Sequence, residues 1–170
     1  MQLPIMSYPD TAAFFRTALL LGLVSPPSVI AWADGVIQGD SVPPPAIFDV
    51  ALAGAELTAV RMALQPLATD PEPWSVLQAV LALAARDLGA DRRTVDDTMR
   101  VLAQFRRLPA VPGSVEAELD VLEDDHMLAQ AGVQQHDLAE VRGRIRAWLE
   151  PFARLEVMAS HGGVVVSRGA

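Results

Sequence analysis

The stretch DPEPWSVLQAVLALAARDLGADRRTVDDTMRVLAQFRR, Asp70 to Arg107, decides the fold class. Trp74, Leu77, Leu81, Ala84, Ala85 and Leu88 recur at spacings of three and four, which is the period of one helix face and not of a strand. Gly89 closes that run, and Val95, Met99, Leu102 and Phe105 begin a second one with the same period. The link Gly89-Ala90-Asp91 is short, so the two helices predict an antiparallel hairpin. Asp70 is placed to cap the first, over 71–88, and Asp91 or Thr94 to open the second.

Outward from this hairpin the punctuation repeats. Towards the N-terminus, the spacing predicts a helix over 11–22 capped by Asp10 or Thr11, and another that starts at Ser25 with Pro26 in the first helical position. A short helix follows Pro43-Pro44-Pro45 and stops at Gly54, and a fourth covers 55–64. Towards the C-terminus, Ser114 is placed to cap a helix that ends near Gly132, and an eighth runs from Asp137 to Pro151, which should kink or end it. The segment after Arg154, ending HGGVVVSRGA, reads as a weak strand or a frayed tail. The sum is an all-α chain: an irregular bundle or αα array of seven to eight helices. It forms one domain over 1–158 with a tail over 159–170, and Pro109-Ala110-Val111-Pro112-Gly113 is the place where it would subdivide.

Composition narrows the function. With no cysteine there is no disulfide, thiolate metal site or cysteine nucleophile. All thirteen basic residues are arginine, and the formal net charge is −8. Residues 1–54 carry net −3, residues 55–112 net 0 and residues 113–170 net −5. That distribution argues against a nucleic-acid footprint or an anionic membrane surface, and it suits a basic protein partner. A homo-oligomer is also compatible with it. The run TALLLGLV, 17–24, resembles the apolar part of a secretion signal, but no cluster of positive charge precedes it, so the expectation is a soluble cytoplasmic protein.

Phosphate-cradling glycine motifs, nucleophile elbows and zinc-protease motifs are absent, and no motif calls for a cofactor. The densest chemistry lies in EAELDVLEDDHM, Glu116 to Met127. Glu116, Asp120 and Glu123 share one side of a helix, and oxygen ligands in such an array suit a hard cation. Glu123 to His126 has the Glu-x-x-His spacing of di-iron bundles, which need a second copy. Val133 and Met158 stand three before His136 and His161, so there is none. The acidic helix, 114–131, is therefore read as a solvated face, with Glu116, Asp120, Glu123 and His126 as the only metal candidates. His126 falls in register with Val115, Leu119, Leu122 and Ala129, as a core-edge histidine with a hydrogen-bond partner. Asp96 and Asp97 are spaced to pair with Arg92, Arg93 and Arg100.

On the helix that starts after Ser25, Val29, Ile30, Ala33, Val36 and Ile37 form an apolar arc, with Trp32 and Asp34 at its edges. Trp32 is expected to pack while its indole N–H finds a partner, and Asp34 to accept backbone N–H groups near Ser41 to Pro45. The stretch LGLVSPPSVIAWADGVI, 21–37, resembles a pattern in small uncharacterised bacterial all-helical proteins. In these a helix ends in Gly-Leu-Ile/Val-Ser and the next carries Ile-x-Trp-Ala-Asp. The resemblance covers about residues 11–53. It implies a helical fold and, for some such proteins, an immunity or other interaction role, with no catalytic residues to carry over. The expected function is a non-enzymatic interaction protein, possible forms including immunity; the alternative is a small metal- or ligand-dependent enzyme centred on 114–131.

Overall fold

The computed structural model describes residues 6–133, 137–160 and 163–168, the last two stretches beyond Arg154 as backbone only. Among the described residues eight helices follow one another: α1 Tyr8–Leu20, α2 Pro26–Gly39, α3 Pro45–Leu52, α4 Leu57–Leu64, α5 Pro73–Gly89, α6 Val95–Phe105, α7 Gly113–Gln130 and α8 Leu138–Ala153. The all-helical reading holds. It is completed by an antiparallel pair, β1 Leu155–Ser160 and β2 Gly163–Arg168, in which Val157 faces Val166 and Ser160 faces Gly163. The expected tail boundary at 159 therefore falls inside a strand that begins at Leu155. His136 and His161 lie outside the described residues.

The chain divides into two compact units. One takes the chain to Val80 and regains it from Leu155; the other is Leu81–Arg154. The division falls within α5 and not at 109–113, which is an ordinary turn between α6 and α7 with Val111 buried. The residues of α5 explain why no linker marks the change. Val76, Leu77 and every residue from Ala79 to Ala85 are buried, so the helix is apolar on all sides and continuous through the boundary.

In the first unit, Phe15 of α1 meets Trp32 of α2 with ring centroids 5.0 Å apart, and Phe14 stands edge-on to Phe15. Val29, Ala33 and Val36 of α2, Ile47 and Val50 of α3, and Val60 and Leu64 of α4 complete the core. The cap of α1 is Ser7, whose Oγ accepts the Asp10 N–H, so α1 starts a turn earlier than the sequence suggested. Its other end is a Schellman turn: Gly22 has φ +66°, the Leu23 N–H reaches the Ala18 carbonyl at 2.8 Å, and Leu23 is buried. Pro73 rather than Pro71 takes the first position of α5, and Asp70, expected as its cap, sits in the preceding turn at φ +51°.

In the second unit, Leu81 and Leu88 of α5, Leu102 and Phe105 of α6, Leu119 and Leu122 of α7 and Val141, Ile145 and Leu149 of α8 are buried. Thr94 and Asp137 cap α6 and α8 as their positions implied. Ser114 does not cap α7; Pro112 holds that place in extended conformation and the helix begins at Gly113. Pro151 lies inside the last turn of α8, which ends two residues on.

Candidate functional site

The acidic helix α7 is where the sequence placed its candidate chemistry, and its carboxylates are distributed among cations, not gathered around an ion. Asp120 and Glu123, one turn apart, both meet the Arg106 guanidinium at the end of α6; the Glu123 contact is 3.0 Å. Asp125 is buried and pairs with Arg144 of α8, which also reaches Glu140 at 2.7 Å. These two carboxylates hold the Arg144 guanidinium above its ordinary value, Glu140 contributing most. Glu118 accepts the indole N–H of Trp148 at 2.6 Å. Since Glu118 matches Trp148 and Asp125 matches Arg144, α7 and α8 run antiparallel. The face read as solvated is thus partly a buried electrostatic seam, because neighbouring helices bring arginines that the sequence of α7 alone cannot reveal.

His126 is buried, as its register predicted, and its Nε2 lies 2.7 Å from Asp96 Oδ1 in the first turn of α6. Gln130 donates to the same oxygen at 3.1 Å. The hydrogen bond from His126, more than any other influence, holds the Asp96 carboxyl below the usual range. With a carboxylate as its acceptor, Nε2 carries the proton. A depression of about 360 Å³ opens beside the pair, edged by Met99, Arg100, Glu123, Met127 and Gln130. No hydroxyl side chain bonds His126 among the described residues. Nor do three or more histidine or carboxylate groups converge where a metal could sit, among the described residues. Of the four candidates the structure joins Asp120 to Glu123 through Arg106, sends His126 to Asp96, and leaves Glu116 exposed.

The arginine-rich turn differs from expectation too. Arg100 does pair with Asp97, at 2.9 Å. Arg92 and Arg93 instead reach back to Asp87, which is buried at the end of α5, with Nε to oxygen distances of 2.9 and 3.3 Å. Asp91, at φ +54° in the same turn, pairs with Arg142, which also donates to the Leu88 carbonyl at the end of α5. Asp87 was legible only as one acid in a helix; its closeness to Arg92 and Arg93 depends on the chain reversing at Gly89 to Asp91.

The two residues singled out in α2 part ways. Trp32 packs as expected, but its indole N–H is buried without a partner among the described residues. Asp34 is exposed and makes no hydrogen bond among the described residues. The aspartate that serves the α2–α3 link is Asp40, whose Oδ1 accepts the Val42 N–H at 3.0 Å and whose Oδ2 accepts the Tyr8 hydroxyl at 2.6 Å. Asp34 lies mid-helix and points outward, whereas Asp40 follows the last residue of α2 and is free to turn back. No helix among the described residues is long and apolar enough to cross a membrane.

No family model matches this chain, and no curated protein or solved structure matches it significantly.

Proposed function

We propose that this is a non-enzymatic interaction protein that binds a basic protein partner through the outer face of α7. One observation carries the reading. Val121, Asp124 and Leu128 follow one another along a single exposed side of the helix, with Met127 and Glu116 beside them; Val121 is 60% and Met127 54% exposed. The inward carboxylates are already taken by arginines, while Glu116 and Asp124 have no such partner among the described residues. Apolar side chains flanked by uncommitted carboxylates suit a surface that is itself apolar and basic. Neutralisation of a basic toxin is the specific form we propose, from the likeness of residues 11–53 to small uncharacterised bacterial helical proteins, some of them immunity-like.

The test uses the purified chain as bait and two variants, Val121→Asp/Leu128→Asp and Glu116→Gln/Asp124→Asn. A basic protein should be retained at low ionic strength and released as salt rises. The first variant should abolish retention and the second weaken it, with the circular dichroism of both unchanged. Retention that ignores salt, or that survives Val121→Asp/Leu128→Asp, overturns the proposal.

A further inference from the structure

We propose that the first unit carries a binding site for a small organic oxyanion, a phosphomonoester or a short carboxylate, between Arg16 of α1 and Arg61 of α4. The two helices pack together, and both arginines line one open depression of about 240 Å³. The Nε of each is shut off from solvent and has no hydrogen-bond partner among the described residues. Neither guanidinium lies within ion-pair distance of a carboxylate among the described residues. A guanidinium cannot shed its proton; with each Nε closed to water, it is the charge and the terminal N–H groups, also without a partner among the described residues, that call for an acceptor from outside.

Shortage of acid does not explain this arrangement, because Asp and Glu number 21 against 13 arginines. The carboxylates flanking the depression's Pro71, those of Asp70 and Glu72, are exposed and pair with neither arginine among the described residues, while Asp10 accepts the Glu72 N–H and the Ser7 hydroxyl at 2.7 Å each and Glu56 accepts the Ala59 N–H at the start of α4. Two planar donor forks on one depression match the oxygens of a phosphate or carboxylate. Thr17 adds a hydroxyl to the lining, and Ala13, Leu20 and Pro71 give it apolar walls, so the ligand has an apolar body as well as an anionic head. The volume lies below the roughly 300–1,000 Å³ of sites for drug-sized ligands, which selects a few-atom anion over a nucleotide.

The experiment titrates the full chain with methyl phosphate and with butyrate, each against sodium chloride at matched ionic strength, and reads heat of binding and thermal unfolding. A saturable heat and a saturable rise in Tm are expected from at least one probe, and the tighter of the two assigns the head group. Arg16→Met/Arg61→Met, which keeps much of the apolar stem, should weaken binding by about tenfold or more. Without ligand this variant should unfold at no lower temperature than the parent, since it removes charges that nothing compensates. No saturable response to either probe, or an equal response in the double variant, overturns the proposal. If the double variant does not fold, Arg61→Met alone and the titration of the parent still decide. The outcome is independent of the α7 reading, whose residues lie in the other unit.

Discussion

The two units use the same residue types in opposite ways. In the second, Arg92, Arg93, Arg106, Arg142 and Arg144 each meet a carboxylate, and Asp120, Glu123 and Asp125 of α7 are spent on these contacts. In the first, carboxylates serve neutral donors instead: Asp10 and Glu56 take backbone N–H groups, Asp40 takes a backbone N–H and a phenol, and Arg16 and Arg61 are left facing a depression. The contrast teaches that net charge says little about where charge is available. The second unit has most of the arginines and holds all but exposed Arg86 and Arg107 in internal pairs among the described residues, whereas the first has few and leaves Arg16 and Arg61, each with a buried and unpartnered Nε, beside one depression.

The largest test of this contrast is Asp87→Ala. It strips the shared acceptor from Arg92 and Arg93 and leaves two cations at the end of α5. Asp87 has only 12% of its side chain exposed, but Arg92 has 56%, so solvent takes up part of the loss. The expected destabilisation is on the order of 2 kcal/mol, less than the ~3–5 kcal/mol for breaking a wholly buried pair. Chemical denaturation measures it, and a loss under about 0.5 kcal/mol would mean that the pairing in this turn is decorative.

That test also marks the limit of what the sequence could say. Helix number, the Ser25, Thr94 and Asp137 caps and the core register of His126 follow from local patterns, because periodicity and capping depend on residues within a turn or two. The α7 carboxylates could be seen, but not their partners: Arg106 to Asp120, Arg144 to Asp125 and Trp148 to Glu118 join residues brought together only when helices pack. The division inside α5 was illegible for a related reason. A continuous apolar helix gives no Pro, Gly or polar signal where one unit gives way to the next. Arg16 and Arg61 stand 45 residues apart and carried no motif; their shared depression arises from the packing of α1 on α4.

A smaller effect is expected from Tyr8→Phe, which tests the neutral-donor habit of the first unit. Burial and, after it, the hydrogen bond to Asp40 push the Tyr8 hydroxyl up to about 12. The folded chain therefore holds this proton more tightly than the unfolded chain, where a tyrosine titrates near 10. The contribution is complete below about pH 10 and is lost as pH rises through about 12. Asp40 behaves oppositely: the Tyr8 hydrogen bond, and then the Val42 N–H, hold its carboxyl below the usual range, so its contribution is present at neutral pH and fades as acid protonates it. Tyr8→Phe should flatten both the alkaline limb and part of the acid limb of a stability–pH profile. An unchanged alkaline limb would separate Tyr8 from Asp40 in solution.

The smallest effect is expected at Asp34, where the first expectation from sequence was a cap whose loss would cost stability. Asp34 is an exposed residue in the interior of α2, and the α2–α3 link is held by Asp40. Alanine is the better helix former at such a position, and no hydrogen bond among the described residues is lost with the carboxylate. Asp34→Ala should therefore change stability by less than about 0.5 kcal/mol, towards higher stability. Asp40→Ala, made alongside it, should lower stability, because it strands the Tyr8 hydroxyl and the Val42 N–H together. The pair of variants is decisive through its order. If Asp34→Ala were the more damaging, the acid that matters in α2 would lie mid-helix.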